Sequence, residues 1–413
     1  MKFIIGILLF SGFAFSTELI GEIFGELTSE NSPYFVTGDI IIPEDTSLYI
    51  SGEVEFIFQG NYSLIANGEL TTDSILSDSV LFYPAENIEY WNGIIANSEI
   101  SLTCVRVSHT ENGIIFNGEG LLGSSSSCSN SVISNSENSG IIVNNGEISI
   151  YNCIIHSNKK NGIEVNGAIT VDIIRNELYN NCVDNVGHPA ILITDTQSNL
   201  GSNYIHDNHY QGVGLFQMST ENMLFLASMN IIERNFTGIT IVGATGQLNQ
   251  NIIKDNYQVG NYNSGAGVYI GYSTANVTLK QNTITGNYYG ISVIYDATVD
   301  LTGNYGRNYI YDNTYEGTIC NVYNASGNDI LAEYNYWGEN SVEEVQNTIQ
   351  SESGNVLVSP LLGDFNINGI VDNIDKVMLV NCILDNHNGF EYNLNFDNRI
   401  NVIDLQYFLN LYE

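Results

Sequence analysis

The stretch "NYIHDN", Asn203 to Asn208, is followed at Gly212 by "GVGL", and the same order returns as "NIIERN" at Asn230 and "GITI" at Gly238. Each unit sets an asparagine two places before an apolar residue, a second asparagine three places after it, and then a glycine heading an alternating apolar run. The form Asn-x-apolar-x-x-Asn recurs as "NSVISN" at 130, "NELYNN" at 176, "NIIKDN" at 251, "NTITGN" at 282 and "NYIYDN" at 308, with a degenerate "NCIIHS" at 152. Glycine-led runs accompany most copies, including "GIIV" at 140, "GIEV" at 162, "GVYI" at 267 and "GISV" at 290, with relatives "GIIA" at 93 and "GIIF" at 113.

Copy starts are separated by 22, 24, 27, 27, 21, 31 and 26 residues. Such spacings are too irregular for helical-hairpin arrays and too short for propeller blades, and they fit the coils of a parallel β-solenoid. Inward β-branched residues would stack into aliphatic ladders while Asn and Gly turn the corners. At about 4.8 Å per rung, roughly ten rungs would give a rod on the order of 50 Å long. If the residue after each glycine points inward, Ile115, Ile142, Glu164, Leu192, Gly214, Thr240, Tyr269 and Ser292 point outward.

Composition narrows the functional classes. With 46 acidic against 11 basic residues the formal net charge is −35, which repels phosphate backbones and anionic lipid, so no nucleic-acid partner is expected. A 43% hydrophobic and 14% charged composition suits a folded chain. Met1-Lys2, the 13-residue apolar run "FIIGILLFSGFAF" and the small residues Ala14 and Ser16 predict a secretory signal peptide over 1–16, cut before Thr17. That run is short for a membrane span of about 20 residues, so an exported, soluble chain with no later membrane span is expected. The six cysteines show no CxxC spacing, and their pairing stays open.

The repeat pattern over about 90–330 resembles right-handed parallel β-helix repeats of pectate-lyase-like and carbohydrate-binding families, and the handedness comes from that resemblance and from the general hand of parallel crossovers. Residues 17–90 resemble the opening β cap and first coils of secreted bacterial members, and 335–362 resemble their closing segment, with a short helix expected over Val342 to Ile349. The predicted repeat body is 91–334.

Asparagines at coil corners bond their stacked neighbours and tolerate left-handed backbone. Family catalytic signatures are missing: there is no Asp-Asp pair, no Arg-Ile-Lys, and Gly187-His188-Pro189 stands where polygalacturonases carry Gly-His-Gly. The remaining candidates for acid/base or metal work are His188, Asp195, His206 and Asp207, with His209, Arg175 and Glu177 nearby in sequence. Aligned hexapeptides also place His206, Glu233 and Lys254 in one outward column and Asp207, Arg234 and Asp255 in the next, an alternating-charge pattern that holds rungs in register. Tyr269, Tyr288 and Tyr289 are read as exposed aromatics able to stack on sugar rings.

Residues 363–413 leave the repeat. "DFNINGIVDNID" (Asp364 to Asp375) and "NLNFDNRINVID" (Asn393 to Asp404) begin 29 residues apart, and each precedes an apolar helical pattern, "KVMLVNCIL" and "LQYFLNLY". Duplicated loop-helix units of this size resemble dockerin domains. The resemblance implies calcium held by the side chains of Asp364, Asn366, Asn368 and Asp375 and the Ile370 carbonyl, and in loop two by Asn393, Asn395, Asp397, Asp404 and the Arg399 carbonyl. Gly369 makes the first turn and Asn398 stands at the matching place in the second. It also implies a cohesin-like partner met by Asn373, Ile374, Val402 and Ile403.

The expected fold is therefore all-β, a right-handed single-stranded parallel β-helix with a small C-terminal α-helical, EF-hand-like dockerin domain that is separable from the rod. The expected function is a secreted carbohydrate-associated binding or structural module on a calcium-dependent tether, with a polysaccharide hydrolase or lyase and an adhesin-like surface rod as alternatives.

Overall fold

The computed structural model describes residues 17–75, 78–118, 125–184, 187–220, 223–257, 265–302, 306–385, 389–395, 397 and 399–412. The expected signal peptide and Asn398 lie outside the described residues.

Each coil carries three short strands. One coil runs Gln197–Gly201, Tyr204–His206 and Gln211–Phe216, and the next runs Leu224–Ser228, Ile231–Glu233 and Thr237–Val242. Successive coils pair in parallel, with Leu200 opposite Ala227, Ile205 opposite Ile232 and Val213 opposite Ile239. Among the described residues one face stacks fourteen strands, and the other two faces join in a 25-stranded sheet. The rod is longer than the ten rungs expected because residues 17–90 form ordinary coils of the same stacks, Tyr34–Ile42 pairing with both Thr17–Glu22 and Ser63–Ala66.

Period-two burial makes the core. The residue after each repeat glycine points inward, as does Ile191 after Ala190: Ile114, Ile141, Ile163, Ile191, Val213, Ile239, Val268 and Ile291 form one buried ladder. The apolar residue of each hexapeptide forms another through Leu178, Ile205, Ile232, Ile253, Ile284 and Ile310. Near the amino end, aromatic rings fill this space, with Phe56 on Phe82 at 4.7 Å and Phe58 on Trp91 at 3.8 Å.

Both hexapeptide asparagines point inward and build two amide ladders. In the first, Asn203 Oδ1 accepts from the backbone N–H of Asn176 (2.9 Å) and from its Nδ2 (3.1 Å), while Asn203 Nδ2 donates to the Ile173 carbonyl and to Asn230 Oδ1. The pattern repeats through Asn251, Asn282, Asn308 and Asn335, and a second ladder runs Asn181, Asn208, Asn235, Asn256, Asn287 and Asn313. These buried amides use two donors and two acceptor sites each, so none adds a desolvation penalty.

Two expectations about these asparagines are corrected. The left-handed residue at most corners is the one before the ladder asparagine, such as Ser202, Asp207, Met229 and Arg234, with φ between 52° and 57°. A ladder amide aimed inward leaves the corner conformation to its neighbour. The first copies are also offset by one: Asn130, Asn135 and Asn152 take left-handed positions, while Ser131, Ser136 and Cys153 stand in the ladder column. A serine hydroxyl there still accepts a rung N–H, from Val105 to Ser131 Oγ at 3.1 Å.

The outward face is not uniformly open. Gly214, Thr240, Tyr269 and Ser292 are buried, and so are Tyr288 and Tyr289, correcting their reading as exposed sugar-stacking aromatics. A second hydrophobic cluster of Ala266, Tyr269, Tyr288, Tyr289, Ile294, Cys320 and Tyr323 covers that part of the rod. Its cover includes the one antiparallel strand pair among the described residues, Thr314–Tyr315 with Thr318–Ile319, which lays Tyr315 on Tyr289 at 4.8 Å.

Helix α1 (Val342–Gln346) is capped by Ser341, whose side chain accepts from the Glu344 N–H. Helices α2 (Asn373–Leu384) and α3 (Val402–Tyr412) follow the two loops. Their buried Leu379 and Phe408, with Val371 and Leu394, belong to the same continuous core as Leu361, Leu362 and Val345. The terminal unit is thus packed on the rod's end. Among the described residues no helix is long and apolar enough to cross a membrane.

Candidate functional site

Two places bring chemically active side chains together. The first lies on the outer side of the hexapeptide face, where parallel register puts equivalent outward residues of successive coils one above the other. His156 stands opposite Tyr179, Tyr179 opposite His206, His206 opposite Glu233, and Glu233 opposite Lys254. His206 Nδ1 lies 2.7 Å from Asp207 Oδ2, and its Nε2 lies 3.3 Å from Glu177 Oε1. Arg234 donates to both oxygens of Asp207 at 2.8 Å, and also pairs with Glu233. Glu233 is only 5% exposed and gathers Tyr204 Oη at 2.8 Å and Lys254 Nζ at 3.0 Å. The sequence reading placed Glu233 on an open surface; Arg234, Lys254 and Tyr204 close over it.

Electrostatics in this group favour register over proton transfer. Hydrogen bonds from Arg234 hold the Asp207 carboxyl down to about 2. Burial acts to raise Glu233, but hydrogen bonds from Tyr204, Lys254 and Arg234 outweigh it and leave the carboxyl below its ordinary value. A general acid near neutral pH needs a carboxyl held above the ordinary range, and neither carboxylate meets that need. Ring stacking leads to the same conclusion. His156, Tyr179 and His206 stack at 4.9 and 5.4 Å, with Tyr204 on His206 at 3.9 Å, so ring faces that would meet a sugar are turned to one another. An open depression of about 570 Å³ beside the group is lined by His209, Arg234, Phe236, Asp255 and Tyr257.

The other sequence candidates stand apart. His188 and Asp195 flank Ile191–Thr194, a strand of the glycine-led column, whereas His206 and Asp207 close Tyr204–His206 in the hexapeptide column. Asp195 Oδ1 accepts from the N–H groups of Met218 (2.7 Å) and Ser219 (2.8 Å), a loop-fastening contact. Of the seven residues weighed in sequence, only Glu177, His206 and Asp207 are joined by the contacts above. Tyr204, Glu233 and Arg234 complete the network; the aligned hexapeptides had set Glu233 above His206 and Arg234 above Asp207, and Tyr204, in the column of Glu177, is the member they left out.

The second place is the pair of terminal loops. Asp375 Oδ1 accepts from the N–H groups of Phe365 (2.9 Å) and Asn366 (3.1 Å), and its Oδ2 accepts from Asp372 (3.0 Å). Asp404 repeats this with Leu394 (2.7 Å), Asn395 (3.2 Å) and Asn401 (2.8 Å). Asp364 takes the N–H of Asn368 at 3.0 Å and of Gly369 at 2.8 Å, the latter at φ 84° where a side chain would be strained. Asn366 and Asn368 accept from backbone two residues on, and so do Asn395 and Asp397.

Asp364, Asp375, Asn393 and Asp404 are buried. Burial raises the Asp364 carboxyl, and the neighbouring Asp375 charge adds to this against the Gly369 and Asn368 hydrogen bonds. Asn393 Oδ1 is buried with no hydrogen-bond partner. Hard oxygen donors of this kind, one of them orphaned, fit a calcium ion. Among the described residues no three His, Cys, Asp or Glu side chains converge on a cation position; loop one contributes two carboxylates, and its other oxygens are amide and carbonyl. Beside the loops, Asn373, Ile374, Val402 and Ile403 are exposed, Ile374 by 57% and Val402 by 68%.

Residues 180–314 match the family described as right handed beta helix region, in accord with the parallel coils and supplying their hand. No match to a curated protein is found. Similar solved structures include a mutant form of the periplasmic alginate epimerase AlgG, at 14% identity and TM-score 0.46 over 82% of this chain and 84% of that one. The A-modules of the Azotobacter vinelandii mannuronan C-5 epimerases AlgE6 (14% identity, TM-score 0.39, 84% of this chain and 92% of that one) and AlgE4 (15%, 0.40, 84% and 90%) are also similar.

Proposed function

We propose that this chain is an exported, carbohydrate-associated β-helix rod with a binding or structural role, mounted on a cohesin-like module through a calcium-loaded dockerin-like pair of loops. The observation that carries the tether is the repeated loop geometry: Asp375 and Asp404 each gather three backbone N–H groups, and each loop then enters a helix whose first turn exposes apolar side chains. A bound calcium ion would supply the positive charge that buried Asp364 and Asp375 call for, and would engage Asn366, Asn368 and the Ile370 carbonyl. In loop two Asn393, Asn395, Asp397, Asp404 and the Arg399 carbonyl would serve, again with two carboxylates. Ile374, Val402 and Ile403 would then form the apolar centre of the partner contact, with Asn373 at its rim.

The outer side of the fourteen-stranded face carries Ser101, Ser127, Asn199, Gln247 and Thr278 in one column with Asp172, Leu226 and Asp300, a mix of hydroxyls, amides and carboxylates that suits a neutral polysaccharide better than an acidic one. Capture of the full chain by a cohesin panel, with calcium and with chelator, tests the tether. Capture that persists in chelator, or survives Ile374→Asp with Val402→Asp, would defeat it. Retention on neutral and acidic polysaccharides, read together with product release, tests the rod.

A polysaccharide-cleaving role is the second reading, favoured by His206 lying between Glu177 and Asp207 beside the open depression. It requires turnover that His206→Ala and Asp207→Ala abolish.

A further inference from the structure

We infer that the terminal unit is the lid of the β-helix and that cation uptake at loop one is coupled to closure of the rod's end. This rests on the calcium reading above and goes beyond it, because it joins a partner-docking loop to the stability of the rod. A parallel solenoid ends in unpaired edges and an open apolar core that something must cover. Here the cover is the loop itself. Gly369 O accepts from the Val342 N–H at 2.9 Å, the Val371 N–H donates to Asn340 O at 2.8 Å, and Ser341 bridges Ile370. Across Gly369 to Val371 and Asn340 to Val342 the cation loop and the N-terminus of α1 thus form one short antiparallel patch.

Two further contacts fix the same junction. Tyr336 Oη donates to the Leu411 carbonyl at 3.2 Å, and Tyr412 Oη donates to the Leu362 carbonyl. Tyr336 and Tyr412 meet edge to face at 5.5 Å. A cavity of about 270 Å³ spans the boundary, walled by Arg307 and Tyr334 from the rod and by Asp364, Phe365 and Glu391 from the terminal unit. Asp364 therefore faces both the cation loop and the rod. Among the described residues no hydrogen bond joins loop two itself to the rod; the helix that follows it, α3, does so through Leu411 and Tyr412.

The physical consequence is linkage. Ordering loop one around a cation fixes the Gly369 carbonyl and the Val371 amide that hold α1 over the core, and the closed rod end in turn pre-orders loop one. Loop one and loop two, alike in ligand type, then differ in what their loss does to the rod.

The test uses the full chain. Calcium binding is read by titration calorimetry, and amide hydrogen exchange is followed over 336–362 with calcium and with chelator. Chelation should speed exchange in that span by at least about fivefold, the lower end of ordinary coupling. Asp364→Asn in calcium should do the same, and by more than Asp404→Asn, which reaches that span through α3 alone. Val342→Pro supplies an arm without any change of ligand. Proline is tolerated at the first position of α1 and Ser341 already has the extended backbone that must precede it, so the substitution removes the amide bonded to Gly369 and exchanges the partly buried valine side chain for a proline ring. By reciprocity it should weaken calcium binding at loop one by a similar factor. Normal calcium binding with unchanged exchange over 336–362, or normal binding in Val342→Pro, overturns the coupling and leaves the calcium reading standing. A full chain that takes up no calcium overturns both.

Discussion

At the scale of single residues, the side chains that hold this rod in register are amides. Asn230 Oδ1 receives both the backbone and the side-chain N–H of Asn203, and its Nδ2 reaches the Leu200 carbonyl. Asn230→Ala strands those groups in a dry core, where each unmet polar group costs about 1–3 kcal/mol. The expected loss is about 2–4 kcal/mol by denaturant unfolding, against about 0–1 kcal/mol for Asp207→Asn, whose ion pair with Arg234 is exposed and screened. Similar losses in both variants would mean that the amide ladder does not carry the register. Asp207 gives a pH test. Its folded pKa of about 2 lies below an unfolded value of about 3.9, so its contribution is present above about pH 4 and fades as pH falls toward 2. With 44% of its side chain exposed, that contribution stays within about 1 kcal/mol. Asp207→Asn should flatten the acid limb of the stability curve between those pH values, and an unaltered limb would refute the assignment.

Among elements, the hairpin Thr314–Ile319 does what no repeat strand does: it folds back over the outer face. It covers Tyr289 with Tyr315 and lies beside Cys320, whose thiol burial pushes up to about 12. Tyr315→Ala should open this cover, costing about 2–4 kcal/mol for a partly buried aromatic. It should also make Cys320 react with a thiol reagent under native conditions. A Cys320 that stays silent in the variant would show that something else shields it. The repeat strands were legible in sequence because period-two alternation and glycine spacing are local. The hairpin was not, since Gly317 in "TYEGTI" reads as opening one more glycine-led strand until the tyrosine cluster beneath it is seen.

For the molecule as a whole, a net charge of −35 on one rod is a standing self-repulsion. Monovalent salt should raise the melting temperature as the screening length shortens from about 30 Å at 0.01 M to about 10 Å at 0.1 M. A melting temperature flat across that range would mean that the acidic groups sit too far apart on the coils to interact.

What the sequence determined by itself is the solenoid, its inward ladders and the duplicated loop-helix unit, because each is written in spacings that the backbone converts directly into position: two residues per side in a strand, one coil per repeat, one loop per motif. The tertiary structure decided the rest. It set which corner residue is the left-handed one, buried Glu233 under Arg234 and Lys254, kept His188 and Asp195 away from His206, hid Tyr289 beneath a hairpin, and joined the terminal loops to the rod through Val342 and Tyr412. Those outcomes depend on which coil, loop or helix comes to lie over a given side chain, and burial by a partner distant in sequence leaves no period in the sequence to read.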